Sequence, residues 1–360
     1  MKKIVVSLLA ASLIFSCCAC GGESGASSVA APSDTSKTVG SVAETVSATE
    51  TTPEETATEV SPEETVDRSQ FKIKEFNTSP TIEETILVDE SGVKITATGI
   101  EYGNYKAELG LKIENSTGTE LDVGGSGSMT VNNFTIPAAI WYTVPANEVF
   151  EDKVNIDLDE LKLRGIYEIA NIGMQLTVQT IDTDHNFNDL INTNISIPTS
   201  IYDSYVPDDT CYQKSISNAQ TADQYGYELL NWNADTIFDQ YGIQFTSVAL
   251  LKNSDDERYM LIEVVNANDT PVTVSLGNMI VSGKNVEDGY VNGVDIFGQS
   301  RGIITVQLDS KIEQYLEDDS SVEDTYFDDF SKIDLDVTIY TGWTGHNAVI
   351  EDEPLAISFS

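Results

Sequence analysis

The sequence is short of basic residues. It has 19 Lys and Arg residues against 59 Asp and Glu residues, which gives a formal net charge of −40 at pH 7. A surface this acidic repels both nucleic-acid phosphates and anionic bilayers, so binding to either through the protein surface is excluded. The simplest role of the acidity is solubility, and attraction of cations or of a basic partner is the alternative.

Histidine is also scarce, since His185 and His346 are the only two. Neither has a Ser or Cys nucleophile in a recognisable setting nearby, so a catalytic triad is not predicted. The Ser-x-x-Lys spacing at 69–72 has no partner motifs. The segment "GGSGS" at 124–128 lies between predicted strands, and "SGKN" at 282–285 lacks the other residues of a P-loop. The sequence therefore predicts no catalytic residue and no cofactor.

Cysteine is nearly absent after residue 20, where Cys211 is the only one and is expected to be an idle thiol. The other three stand together in "IFSCCACGG" at 14–22. A disulfide within CCAC would be strained because the sulfurs are too close in sequence. A metal site would lack a nearby histidine, because the nearest is His185. Lipid attachment is the remaining role.

The segment before these cysteines has the pattern of an export signal. Two lysines precede an uncharged apolar run over 4–15, which is shorter than the ~20 residues of a transmembrane helix. Its end resembles the bacterial lipoprotein box, in which small residues precede a cysteine that is acylated and becomes the mature N-terminus. Cys17 follows "IFS" and Cys20 follows Ala19. The resemblance implies a leader over 1–20 and a lipid anchor at Cys17 or Cys20, with Cys17 slightly preferred.

The segment 21–70 contains no Leu, Ile, Phe, Tyr or Trp. It consists mainly of Ser, Thr, Ala, Glu, Val and Pro, as in "TVSATETTPEETATEVSPEET". Such a composition cannot bury enough apolar area to offset chain entropy. The sequence therefore predicts a disordered acidic stalk that holds the rest of the chain away from a membrane.

The remainder contains one unit twice. "ETILVDESGVKIT" at 84–96 matches "DTIFDQYGIQFT" at 235–246, and "IENSTGTELDV" at 113–123 matches "VVNANDTPVTV" at 264–274. The second match aligns Asn115 with Asn266. "MTV" and "IDLD" are repeated as "MIV" and "VQLD" at the same spacing of 150 or 151 residues, after which an insertion lengthens it to 161. A series of matches in one order predicts a tandem duplication.

Each unit is predicted to be a β-sandwich. Runs such as "VKITATGI" and "YMLIEVVN" alternate apolar and polar residues over strand lengths. One helix per unit is expected, with Asp159 and Asp309 as its N-caps. We predict an all-β protein with minor helix: a first domain over 71–200, a polar, irregular connector over 201–230, and a second domain over 231–360.

These segments also resemble a known group of proteins. The lipoprotein leader, the acidic stalk and the run "GVKITATGI…LGLKIENSTGTELDV…MTVNNFTI" are similar to immunoglobulin-like domains of surface lipoproteins from Gram-positive bacteria. In that family a "-VNG-" hairpin follows, for which this chain has Val131-Asn132-Asn133. The resemblance implies an immunoglobulin-like fold and the extracellular face of the cell membrane. It implies no activity and no catalytic residue.

The best metal candidate is "DTDHNFND". Its alternating oxygen ligands are Asp182, Asp184, Asn186 and Asn188. Phe187 stands where a calcium loop needs Gly, and Thr193 stands where it needs Glu, so the segment is not an EF-hand. A polar hairpin is expected instead, with an irregular calcium site as the alternative. The acidic "EDDSSVEDTYFDD" at 317–329 is spaced like a solvated loop.

Aromatic residues are the other indication of binding. Trp141, Tyr142 and Trp343 could stack on sugars, although Trp and Tyr in sandwiches more often belong to a half-buried core. The sequence as a whole predicts a non-enzymatic, monomeric surface lipoprotein that binds or displays, with an unknown protein or glycan ligand. The alternatives are an accessory subunit that docks on a cell-envelope complex, a calcium-dependent adhesin, and an enzyme with a carboxylate site.

Overall fold

The computed structural model describes residues 73–181, 187–318, 327, 330–342 and 348–359, which all belong to one compact unit. The predicted leader, the stalk, Cys17, Cys20, both histidines and Trp343 lie outside these residues. The fold is all-β with few helices, as the alternating runs predict. Among the described residues no helix is long and apolar enough to cross a membrane.

The described residues of the first repeat form ten strands. They are β1 (Thr85–Glu90), β2 (Val93–Tyr102), β3 (Lys106–Asn115), β4 (Leu121–Gly124), β5 (Ser128–Val131), β6 (Phe134–Pro137), β7 (Trp141–Val144), β8 (Val149–Asp157), β9 (Asn171–Ile181) and β10 (Phe187–Pro198). One sheet has the order β1-β2-β3-β8. In the other, β9 pairs with β10 on one side and with β4 and β5 on the other, while β7 and β6 form the edge.

The second repeat follows the same order. Its strands are β12 (Phe238–Gln240), β13 (Ile243–Asn253), β14 (Arg258–Asn266), β15 (Val272–Val281), β16 (Lys284–Ile296), β17 (Ser300–Gln307), β18 (Lys332–Thr341) and β19 (Ala348–Ser358). One long strand, β15, stands in place of β4 and β5, and another, β16, in place of β6 and β7. Strand β11 (Tyr227–Asn233) is an addition on the edge of β13. One sheet contains β13-β14-β17, and the other has the order β16-β15-β18-β19.

This strand order is immunoglobulin-like. We leave out the first strand of each repeat, count β4 with β5 as one strand and β6 with β7 as one strand, and letter the strands A to G in chain order. Each repeat then has the order A-B-E in one sheet and D-C-F-G in the other. The constant-type order is A-B-E-D against C-F-G, so here the D strand has moved to the second sheet beside C. The D-C-F-G sheet is β7/β6-β4/β5-β9-β10 in the first repeat and β16-β15-β18-β19 in the second, and each has a face that is not buried.

The aligned asparagines confirm the duplication at the level of single hydrogen bonds. Asn115 Nδ2 donates to the carbonyls of Thr119, Val144 and Pro145 at 2.9–3.1 Å. Asn266 Nδ2 donates to the carbonyls of Thr270, Ile296 and Phe297 at 2.9–3.3 Å. Both side chains are buried, and each satisfies carbonyl groups that leave the ladder where a strand ends.

Matching hairpin turns also recur. Ser91 and Gly92 join β1 to β2 with positive φ, as Tyr241 and Gly242 join β12 to β13. The predicted hairpin of the first repeat turns at Asn132 and Asn133, both with positive φ. Two consecutive positive-φ residues form the type I′ turn whose twist matches antiparallel strands.

The predicted helices exist, but their N-caps differ. Helix α1 spans Leu158–Leu163, and Asp157, not Asp159, caps it by accepting from the amides of residues 159 and 160. The correction arises because β8 runs directly into the helix at Asp157. The helix of the second repeat spans Leu308–Asp318, so Asp309 lies in its first turn, where it pairs with Arg258 instead of capping.

The segment between the repeats is more ordered than its polarity indicates. It contains a short 3₁₀ turn (Tyr202–Ser204), helix α2 (Cys211–Ile216) and helix α3 (Ala219–Gln224). The helix Leu308–Asp318 of the second repeat is α4. Tyr212, Ile216 and Ala222 are buried in the same hydrophobic cluster as the first repeat. Tyr212 packs on Phe134 with ring centroids 6.0 Å apart.

The two repeats share structure at their junction. Strand β17 pairs with β6 through Arg301 and Phe134, and the amide of Arg301 donates to the carbonyl of Asn133 at 3.0 Å. The outer face of β13 and β14 joins the cluster of the first repeat, whereas the inner face belongs to a second cluster. The β13-β14-β17 sheet of the second repeat is therefore covered on both faces.

Candidate functional site

The D-C-F-G sheet of the first repeat carries a tryptophan on its solvent face. Side chains alternate along β7, so Tyr142 is buried while its neighbour Trp141 is 65% exposed. The prediction of a half-buried core position is correct for Tyr142 and wrong for Trp141. An indole with this much exposed surface contributes little to the core, which makes it a candidate contact for a ligand.

The indole of Trp141 lies against the sheet because its cross-strand neighbour is a glycine. It pairs with Gly124 on β4. A Cβ atom on Gly124 would lie 3.3 Å from Cε3 and 3.5 Å from Cζ3 of the indole. Because Gly124 has no side chain, the ring can rest directly on the backbone and leave its other surface to solvent.

A hydroxyl–carboxylate pair stands beside this ring. Thr143 pairs with Asp122 in the same ladder, and Thr143 Oγ1 donates to Asp122 Oδ1 at 2.9 Å. Asp122 is almost fully buried whereas Thr143 is exposed. On the next strand, Gln179 pairs with Asp122 and donates from Nε2 to Asp189 Oδ1 at 2.6 Å. We call Trp141, Gly124, Thr143 and Asp122 the first platform.

The second repeat also has an exposed aromatic ring on this sheet, but at a different register: Gly293 is the counterpart of Trp141, and Tyr290 pairs with Gly277. Tyr290 on β16 is 64% exposed. A Cβ atom on Gly293 would lie 2.9 Å from the Tyr290 hydroxyl oxygen and 3.2 Å from Ser275 Oγ. The tyrosine therefore reaches along its own strand over Gly293, beside the strand that carries Ser275.

A hydroxyl–carboxylate pair again stands beside the ring. Thr273 Oγ1 donates to Asp295 Oδ1 at 2.6 Å and also lies 3.3 Å from the carbonyl oxygen of Gly342. These groups border a shallow cleft of about 230 Å³, lined by Thr273, Ser275, Tyr290, Gly293, Val294 and Asp295. We call Tyr290, Gly293, Thr273 and Asp295 the second platform.

The threonine–aspartate pairs of the two platforms occupy equivalent positions in the sheets. The ladder of the first repeat pairs Asp122 with Thr143, and that of the second pairs Thr273 with Asp295. Asp122 and Thr273 are 151 residues apart, the spacing of the repeat. The carboxylate and the hydroxyl have thus exchanged strands, yet the hydrogen bond between them is retained.

Two groups of the second platform, Asp295 and Tyr290, have raised pKa values. Burial raises the pKa of Asp295, and the hydrogen bond from Thr273 opposes this effect. Burial of part of the ring, together with the Asp295 charge, raises the pKa of Tyr290. The tyrosine therefore keeps its proton at neutral pH and can donate a hydrogen bond, while the carboxylate can accept one.

The predicted metal residues lie mostly outside the described part of the chain. Asp182, Asp184 and Asn186 are not described, whereas Asn188 lies in β10 opposite Thr180. Within the described ranges, no three His, Cys, Asp or Glu side chains are grouped as metal ligands. The predicted calcium alternative therefore stays a prediction.

Cys211 begins helix α2 and is partly buried. Burial raises the pKa of its thiol to about 12. A thiol with this pKa is protonated at neutral pH and is a poor nucleophile.

Sequence reasoning missed most of both platforms. Of their residues it named only Trp141. The alignment of 113–123 with 264–274 contained Asp122 and Thr273, but their partners lie on other strands, beyond the matched segments. The signal that could have identified them is an Asp in one repeat that aligns with a Thr in the other at the repeat spacing.

Comparison with known proteins adds little. No family model and no curated protein matches the chain. It aligns with red sea bream transglutaminase at 9% identity and a TM-score of 0.19, covering 75% of this chain and 31% of that one. It aligns with the exo-chitosanase CsxA of Amycolatopsis orientalis at 11% identity and a TM-score of 0.19, covering 72% of this chain and 26% of that one. It aligns with the GH2 beta-galacturonidase from Eisenbergiella tayi bound to galacturonate at 11% identity and a TM-score of 0.18, covering 79% of this chain and 44% of that one.

The chain spans less than half the length of each of these three proteins. TM-scores this low carry no argument about fold or function.

Proposed function

We propose that this protein is a lipid-anchored, non-enzymatic binding protein of the bacterial cell surface, and that its two platforms are the binding faces. The observation that carries the proposal is the recurrence of a bonded threonine–aspartate pair at equivalent register in both repeats, each time with an exposed aromatic residue nearby. Trp141 lies over Gly124 of the neighbouring strand, whereas Tyr290 reaches along its own strand to Gly293.

The proposal is a binding role because such a role needs only an aromatic ring and hydrogen-bonding groups, and the cleft of the second platform has both.

The binding role is tested with arrays of glycans and cell-envelope proteins. The soluble probe is residues 63–360, the compact unit that contains every described residue. We expect a ligand that the native fragment retains and that Trp141→Ala with Tyr290→Ala loses. Tyr105→Ala is the matched control because Tyr105 is 72% exposed and lies outside both platforms. Failure to retain any ligand, or equal retention by the double variant, would contradict the proposal.

The anchor is tested on the full chain. The motif "IFSCCACGG" supports lipid attachment at Cys17 or Cys20. Intact-mass analysis of the membrane fraction should show a diacylglyceryl-modified N-terminus at one of the two, and replacement of that cysteine by alanine should move the protein out of the membrane fraction. A chain that retains Met1 and stays soluble would refute the anchor.

A further inference from the structure

We infer that the platforms bind a neutral polysaccharide, with one pyranose ring seated on each aromatic side chain. This inference rests on the proposed binding function and specifies its ligand. It depends on the surface that the rings expose, the hydrogen-bonding groups beside them, the size of the cleft and the charge of the protein.

The aromatic rings suit the flat face of a sugar. A pyranose with equatorial hydroxyls exposes axial C–H groups on its faces, and these carry partial positive charge. The face of an aromatic ring is its negative region, so the two attract each other and exclude water from a flat contact. Trp141 offers such a face because Gly124 lies beneath it.

The neighbouring polar groups suit sugar hydroxyls. Thr143 donates its proton to Asp122, so the exposed oxygen of Thr143 retains lone pairs that can accept from a ligand. In the second platform, Asp295 Oδ1 accepts from Thr273. Its carboxylate has further acceptor sites, and a bond from a hydroxyl to a charged acceptor is stronger than a neutral one.

The cleft has room for one ring. Its volume of about 230 Å³ is smaller than the ~300–1,000 Å³ of sites that enclose a drug-sized ligand. The second platform can therefore take a single unit of a longer chain. Two such platforms in one molecule favour a repetitive polymer, because engagement of both raises avidity without new contacts.

The charge of the protein selects against anionic polymers. A net charge of −40 repels a polyanion at every approach. A cationic polymer would be attracted over the whole surface, and that attraction would be screened by salt. A neutral polysaccharide is the class that binds through the platforms alone.

The test uses affinity electrophoresis of residues 63–360 through gels that contain one polysaccharide each. The neutral panel is a β-1,4-glucan, a β-1,4-xylan, a β-1,4-mannan and a β-1,3-glucan. Polygalacturonate is the anionic probe and glycol chitosan is the cationic probe. The variants are Trp141→Ala, Tyr290→Ala and their combination, with Tyr105→Ala as the exposed-aromatic control.

We expect at least one neutral polymer to retard the protein equally at low and high salt. Each single variant should weaken retardation about tenfold, as for loss of a central aromatic anchor, and the double variant should abolish it. Tyr105→Ala should behave as the native protein.

Two results would overturn the inference. Retardation by glycol chitosan alone, lost at high salt and unchanged in the double variant, would show charge adsorption. The second result is that no neutral polymer retards the protein, while the arrays give a protein ligand that the double variant loses. It would overturn the polysaccharide as the ligand but leave the proposed binding function intact. If neither gels nor arrays show a ligand that depends on Trp141 or Tyr290, both proposals fail.

Discussion

Replacement of Glu263 should weaken the attachment of the segment between the repeats to the second repeat. Glu263 lies on β14 with 0% exposure, and its Oε1 accepts from Arg301 at 3.1 Å. Its Oε2 accepts from Thr246 at 2.6 Å, from Ser247 at 3.2 Å and from Gln213 at 3.2 Å. Gln213 belongs to helix α2, so this carboxylate ties the segment between the repeats to the second repeat.

Glu263→Ala should destabilise the protein by about 3 kcal/mol. Removal of one partner of a buried ion pair costs ~3–5 kcal/mol because the other charge is left without compensation. The lower value applies because Arg301 keeps a second partner, Asp209, at 3.2 Å. For a unit of this size one kcal/mol corresponds to ~2–4 °C, so the melting temperature should fall by roughly 6–12 °C.

The assay is urea unfolding of residues 63–360, followed by circular dichroism and by tryptophan fluorescence. The native fragment should unfold with coincident transitions, and Glu263→Ala should move them to lower urea concentration. Glu101→Ala is the control, since it removes an exposed partner of Lys153 and should leave the midpoint unchanged. An unchanged midpoint for Glu263→Ala would refute the stabilising role of this carboxylate.

Three further predictions concern the core, the cleft and calcium. Residues 71–226 should be more stable than 71–200 by ~3–5 kcal/mol, because Tyr212 and Ile216 share the core of the first repeat; equal urea midpoints would contradict this. Burial raises the pKa of Asp295, so its ionised form destabilises the fold above that pKa and the cost disappears as pH falls through it. Asp295→Asn should therefore raise the urea midpoint at pH 7 and lose this advantage at acidic pH; an advantage independent of pH would refute the assignment. Calcium should raise the melting temperature of residues 63–360 no more than magnesium does at matched ionic strength, because Phe187 and Thr193 replace the Gly and Glu of a calcium loop. A calcium-selective rise beyond about 2 °C, removed by Asp182→Ala with Asp184→Ala, would contradict that prediction.

The fold could be predicted from the sequence where its signals are local. Alternation along strands gave the all-β class, and the alignment of Asn115 with Asn266 identified two residues with the same three-carbonyl role. The helix start was predicted less well, because Asp157 and Asp159 are both acidic and lie within one turn. Only the end of β8 decides between them.

The junction and the platforms depend on contacts between distant segments. Glu263 aligns with Lys112 at the repeat spacing, and Lys112 pairs with Glu114 on the open face of the first repeat. Nothing local marks Glu263 as buried, because its burial comes from the packing of α2. Alternation likewise requires that Trp141 and Tyr142 face opposite sides, but only strand pairing with Gly124 shows which one is exposed.

The most direct test of the paired binding faces is hydroxyl-radical footprinting of residues 63–360, alone and with purified cell envelopes. Mass spectrometry reports the oxidation of each aromatic side chain without knowledge of the ligand. We expect Trp141 and Tyr290 both to be protected by the envelopes, while the similarly exposed Tyr105 is oxidised as before. Unchanged oxidation of Trp141 and Tyr290, or the same protection at Tyr105, would contradict this expectation.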